Sequence, residues 1–161
     1  MDVLFLCIGS EKISGDAVGP IVGSLLRDKY KLPYPVIGTE EHPVNGINFK
    51  EYQKVIKDRF PFHRIIAIDS AVGDELWTLK IKEGGVRAGG ALKPDGEKFG
   101  DIGILAVVGS KEGNVMHNLL SAPYDKVYAI AARIAKMIVA TFCPEHRDAS
   151  LGNATFSLCS R

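Results

Sequence analysis

The apolar positions of this chain change period several times, and the changes mark out its elements. Val3 to Ile8 is a nearly continuous apolar run closed by Gly9-Ser10, the pattern of a strand buried on both faces of a sheet. Over residues 17–30 the spacing turns helical, with Ile21, Val22, Leu25 and Leu26 on one face and Arg27, Asp28 and Lys29 outside. Val36 to Thr39 predicts a second strand. Asn48 followed by Glu51 reads as a capping box, opening a helix whose Phe49, Tyr52, Ile56 and Phe60 face inward until Pro61 stops it. Arg64 to Ala71 predicts a third strand, Trp77 to Lys82 a fourth that alternates as an edge strand does, and Ile102 to Val108 a fifth. A short helical turn at Val115 to Leu120 leads to the clearest helix, Tyr124 to Ala140, with Val127, Ile130, Ala131, Ile134 and Ile138 in one stripe. Strands alternating with helices, without internal repeats, predict an α/β domain whose helices cover a mostly parallel sheet.

That order puts two acids where open α/β sheets bind ligands, beyond the carboxyl ends of the strands. Asp16 follows the first strand and Asp69 ends the third. Pro20 lacks an N–H and is comfortable only in a first helical turn, so a helix starts close to Asp16 and its free N–H groups favour a negative charge. Gly15 and Gly19 keep the surroundings of Asp16 thin enough for another backbone, a substrate's included, to approach. Each aspartate alone also reads as an ordinary cap or turn residue. Together, on neighbouring strands, they make a different proposition. Two close carboxylates cannot both ionise easily, so one keeps a proton and the pair serves as base and acid toward water and an amide, which is the chemistry of peptide hydrolysis.

A glycine-rich run from Glu83 to Gly100 is the third candidate element. Gly84, Gly85, Gly89 and Gly90 would expose N–H groups able to hold a substrate backbone, and the same run also reads as a plain connection between strands. It matches neither a Walker nor a dinucleotide motif.

Charge and cysteine content narrow the classes. Lys and Arg number 20 against 19 Asp and Glu, a net charge of +1, which argues against nucleic acid or a membrane as partner. The opening MDVLFLCIGS is too short in apolar length for a signal peptide or a span, and three cysteines make an odd count, so the expected compartment is the reducing cytoplasm. Cys7, inside the first strand, reads as a small buried hydrophobe. Cys143 and His146 have a metal-like spacing without a second pair, and the acceptor pattern at Asn153 means nothing without secretion. Residues 1–142 form the expected single domain, and 143–161, where apolar periodicity stops, a loosely attached extension.

Three segments carry a family resemblance: CIGSEKISGDAVGP, IIAIDSAVG, and IKEGGVRAGGAL followed by GDIGILAVVG. They resemble the YyaC-type sporulation proteins, related to the germination proteases of spore-forming bacteria, over about residues 2–140. The resemblance implies a three-layer α/β/α fold of the phosphorylase/hydrolase-like type, shared with hydrogenase maturation endopeptidases, with a five-stranded mixed sheet in the order 2-1-3-5-4 and strand 4 antiparallel. It further implies an endopeptidase acting on small spore or sporulation proteins through Asp16 and Asp69; with two aspartates and no matching histidine, no cofactor is expected. Where the relatives carry a histidine, EEHPVNGIN has Asn45, with His42 nearby. Two other readings follow. A nickel-dependent maturation endopeptidase would use Asp16, Asp69 and His117 toward a divalent metal, and a catalytically silent sporulation protein would bind peptide in the same cleft. The expected partner is a small flexible protein or peptide, and a homo-oligomer stays open.

Overall fold

The computed structural model describes residues 1–93 and 95–146. Its centre is a five-stranded sheet built from β1 (Val3–Cys7), β2 (Val36–Ile37), β3 (Arg64–Gly73), β4 (Leu79–Glu83) and β7 (Ile102–Ser110), in the order β2-β1-β3-β7-β4. All neighbours are parallel except β4, which runs antiparallel to β7. With β7 counted as the fifth main strand, this is the predicted order. Two shorter strands, β5 (Val86–Arg87) and β6 (Lys98–Phe99), pair as a separate antiparallel ribbon.

The strand sequences explain the layering. All five residues of β1 are buried, because β2 and β3 flank it and helices close both faces. On one face Phe5, Ile66, Ile68 and Ile104 pack against α1 (Val18–Ser24) and α4 (Tyr124–Phe142). The predicted stripe of α4 is buried there, extended by Ala135 and Val139. On the other face Leu4, Leu6, Ile8 and Ala67 meet Phe49 and Ile56 of α2 (Phe49–Arg59), together with Val86 and Phe99 of the ribbon. Each fully buried aliphatic side chain here contributes about 1.5–3 kcal/mol.

Several boundaries differ from expectation for local reasons. The predicted helix over 17–30 is three pieces: a 3-10 turn at Ser14–Asp16, α1, and a π-helical stretch at Leu25–Lys29, whose widening is seen where the Tyr30 N–H reaches back to the Leu25 carbonyl. The capping box does not form. Asn48 uses Oδ1 to accept from the Asn45 N–H and Nδ2 to donate to the Pro43 carbonyl, so it ties down the loop before α2 instead of capping the helix. Trp77 is not in the fourth strand; it stands before β4 at a φ of 62°, its N–H bonded to the Val107 carbonyl. The glycine-rich run is not a bare connection, since it contains the β5–β6 ribbon.

Cys7 is buried as expected, and burial pushes its thiol far up. Cys143 is equally buried, packed into the core at the end of α4 and followed by a 3-10 turn at Pro144–His146, so the first residue of the expected extension belongs to the domain. Asn153 and most of the 143–161 segment lie outside the described residues. Among the described residues no helix is long and apolar enough to cross a membrane.

Candidate active site

Asp69 is the sixth of ten residues in β3, not its last. What ends there is the pairing with β1: the ladder closes at Cys7 opposite Ile68, with one more bond from the Ile8 N–H to the Ile68 carbonyl. Beyond that point β1 turns away while β3 continues beside β7, where Asp69 lies opposite Leu105. The carboxyl therefore sits in the crevice opened where one strand leaves its neighbour, and it is only 1% exposed.

The chain leaving β1 brings the second carboxyl to this crevice. The 3-10 turn ends at Asp16, and the Ser10 N–H bonds to the Asp16 carbonyl, folding the loop back on itself. Ala17, not Asp16, is the N-cap of α1, and no side chain caps it. The ordinary reading of Asp16 as a helix cap is thus excluded by the local geometry. Pro20 is the third residue of α1, inside the first turn as its missing N–H requires.

The electrostatics of the two groups differ in degree and share a direction. Burial pushes the half-buried Asp16 carboxyl up to about 6, against a smaller downward pull from the Ser10 N–H. Asp69 is raised well above the ordinary carboxyl range, first by burial and then by the charge of Asp16. The N–H groups of Ser70 and Gly89 partly offset this by favouring the charged form, Ser70 donating to Oδ1 at 2.7 Å. Asp69 Oδ2 is buried with no hydrogen-bond partner. A buried carboxylate oxygen left bare is costly, whereas a protonated one is tolerable. Burial thus favours the protonated form of Asp69, and the nearby Asp16 carboxyl, raised to about 6, adds to that.

The predicted substrate-binding glycines divide into two groups. Gly15 and Gly19 are corrections: both are buried, and a Cβ would stand 2.7 Å from the Leu119 carbonyl oxygen at Gly15 and 2.0 Å from the Ile8 carbonyl oxygen at Gly19. They let the turn bearing Asp16 lie against α3 (Val115–Leu120) and β1, which leaves no room for substrate backbone. Gly85 is likewise buried under Phe99 of the ribbon. Gly84, Gly85 and Gly89 take positive φ, 81°, 71° and 65°, and no atom lies near the Cβ position of Gly84 or Gly89. Gly89 presents its N–H to Asp69, and Gly90 lines the cleft beside it.

A nickel or other divalent site on Asp16, Asp69 and His117 does not fit. His117 is exposed on α3, its N–H bonded to the Asn114 side chain that caps that helix, and among the described residues no three His, Cys, Asp or Glu gather as a metal-holding group. His42 is exposed beside Glu41. The residues that sequence reasoning missed are Ser10 and Ser70, whose backbone N–H groups tune the carboxyls, and Leu105, which faces Asp69 across the β3–β7 ladder. The backbone roles leave no trace in side-chain chemistry; Leu105 follows only once the register is known.

The architecture defines the class as a three-layer α/β/α protein with the hydrogenase maturation protease fold. Superposition on the NiFe-hydrogenase maturation protease HycI from Thermococcus kodakarensis KOD1 gives a TM-score of 0.54 at 18% identity, over 85% of this chain and 89% of that one. A peptidyl-tRNA hydrolase from Acinetobacter baumannii gives 0.52 at 10% identity, over 86% and 85%. At such identities the likeness is one of fold. Within that class the chain belongs to the family described as "Protein of unknown function (DUF1256)", whose model matches residues 1–137. It is 30% identical over 124 residues to the Bacillus subtilis (strain 168) protein described as "Uncharacterized protein YyaC", which is 72% of this chain and 59% of that relative. The chain thus spans less than two thirds of that relative's length.

Proposed function

We propose that this chain is an endopeptidase in which Asp16 and Asp69 together activate water against a peptide bond. The observation that carries the reading is the pair itself: two carboxyls at the crevice between adjacent parallel strands, both raised by burial, Asp69 further by the charge of Asp16. With its value near 6, Asp16 is a carboxylate at neutral pH and takes a proton from water as the water oxygen bonds to the peptide carbon. Asp69 gives its proton to the carbonyl oxygen; as the C–N bond breaks, the proton gained by Asp16 goes to the leaving amine, and the re-forming carbonyl returns a hydroxyl proton to Asp69. Gly89, whose N–H meets Asp69 and whose Cβ position is empty, offers an open backbone against which an extended peptide would lie.

The substrate class in this reading is a small flexible protein, of the kind germination proteases degrade in spores, because an open crevice flanked by bare backbone suits an extended chain. The assay is digestion of a panel of disordered peptides and small acid-soluble proteins by the purified protein. Cleavage that disappears on Asp16→Asn or Asp69→Asn supports the reading. An intact panel, with the same peptides bound in calorimetry, would replace the enzyme by a peptide-binding protein that uses the same cleft.

A further inference from the structure

Beside Asp69 lies a second feature that the hydrolytic pair does not use. A cleft of about 200 Å³ opens along the β3–β7 face under the ribbon. Its floor includes Ala71, two residues beyond Asp69 on the same face of β3, and Leu105, the residue opposite Asp69 on β7. Gly90, next to the residue whose N–H meets the Asp69 carboxyl, forms part of its rim. One wall of the cleft is therefore the backbone that holds the candidate catalytic acid.

Three cations line this space, each from a different strand: Lys82 from β4, Arg87 from β5 and Lys98 from β6. Among the described residues none of them is in an ion pair; the pairs that form involve Arg27, His42 and Lys111 elsewhere. The acids of the same segment, Glu83, Asp95 and Glu97, are exposed and do not line the cleft. Fold topology accounts for the convergence. Gly103 of β7 has no Cβ, and one there would stand 2.6 Å from the Gly85 carbonyl oxygen, so the ribbon can lie close over the sheet and bring Arg87 and Lys98 toward Lys82. Three like charges around one small concavity repel one another, and an anionic guest relieves that repulsion.

We propose that this cleft is an anion subsite that receives a carboxylate of the bound peptide, either an acidic side chain or the free C-terminus, next to the bond held at Asp69. It deepens the peptidase reading and rests on it for the position of the peptide, while the binding it requires is measured without turnover. The guanidinium of Arg87 offers a planar fork to a carboxylate, and the two ammonium groups supply charge from the sides. The volume admits a side chain with its waters, not a folded surface.

The test uses calorimetry on the full chain carrying Asp69→Asn, which keeps peptide uncut. The probes are a blocked Ala/Gly peptide with glutamate at every third position, its glutamine counterpart, and the glutamine peptide with a free C-terminal carboxylate. The glutamate peptide is expected to bind about tenfold tighter than the glutamine peptide at low salt, the scale of one hydrogen bond to a charged group, with the difference shrinking as salt is added. Arg87→Gln combined with Lys98→Gln should erase the preference, while Lys29→Gln combined with Lys136→Gln, on the elements covering the opposite face of the sheet, should keep it. Tighter binding of the third peptide than of its blocked form assigns the C-terminus as the source; equal binding of those two, with the glutamate preference intact, assigns the side chain. Equal or absent binding of all three peptides, or a glutamate preference that survives loss of Arg87 and Lys98, overturns the subsite. A preference that holds while the wild-type chain leaves the glutamate peptide intact keeps the subsite and sinks the peptidase reading instead.

Discussion

Gly15 and Gly19 lie beneath other backbone, whereas Gly89 has nothing near the place a Cβ would occupy. Both segments close around the same two carboxyls, yet they use glycine for opposite properties. On the Asp16 side the missing side chain permits contact, and the turn is wedged between β1 and α3. On the Asp69 side the residue supplies a left-handed backbone, and the turn stays open above the cleft. The lesson is that one carboxyl is fixed by packing and the other is overlaid by a turn held mainly by its own conformation. The Asp16 side should therefore govern stability, and the Gly89 side should govern the chemistry around Asp69.

The largest expected effect is on catalysis. Asp16→Asn or Asp69→Asn should each lower the rate of peptide cleavage by about 100- to 10,000-fold, the usual cost of removing a positioned acid or base. Melting temperature at neutral pH should hold or rise, because the substitution removes a carboxyl that burial in the folded chain raises above its unfolded value. Intact cleavage with a lowered melting temperature would make the aspartate a structural residue.

Next in size is Gly19→Ala. Its methyl meets the Ile8 carbonyl, which is backbone and cannot step aside, so denaturant titration should show a loss of about 1–3 kcal/mol. Gly89→Ala should cost less, about 1–2 kcal/mol, since only the left-handed φ of 65° opposes it. Its sharper signature is a shifted pH profile of cleavage, as displacement of the Gly89 N–H raises Asp69 further. Equal stability losses at the two glycines would erase the contrast between the two sides.

Stability should also respond to pH, more gently. Both carboxyls are raised in the folded state, so the folded chain holds more protons than the unfolded one above the ordinary aspartate value of about 4. Their contribution is fully present below that pH, falls as pH rises through about 6, where Asp16 ionises, and keeps falling until Asp69 loses its proton. Asp69→Asn should flatten the later part of this slope in melting curves taken across the range. The smallest expected effect is none at all: cleavage should survive dialysis against chelator, as no three-ligand group is assembled around the pair among the described residues.

Much of the framework was legible because burial on both faces writes itself into β1, β3 and β7 as continuous apolar runs, and because α4 keeps a single apolar stripe. The two aspartates were legible as residues following such runs. Their environment was not. Asn48 satisfied a capping pattern that the chain uses for a loop, since its side chain has closer partners in Pro43 and Asn45. Gly15 and Gly19 suggested an approach by substrate, and the approaching backbone proved to be the chain's own. The ribbon β5–β6 is too short to show a period, so the convergence of Lys82, Arg87 and Lys98 was hidden although all three stand in or beside the glycine-rich run.

The shared proton is most directly tested by following the aspartate side-chain carboxyl carbons by NMR through a pH titration, in the wild-type chain and in Asp16→Asn. The structure predicts that Asp16 titrates at about 6, that Asp69 keeps its proton well above the ordinary carboxyl range, and that Asp69 moves down when the Asp16 charge is removed. Titration of both groups near the ordinary value of about 4, unchanged by the substitution, would contradict the carboxyl pair.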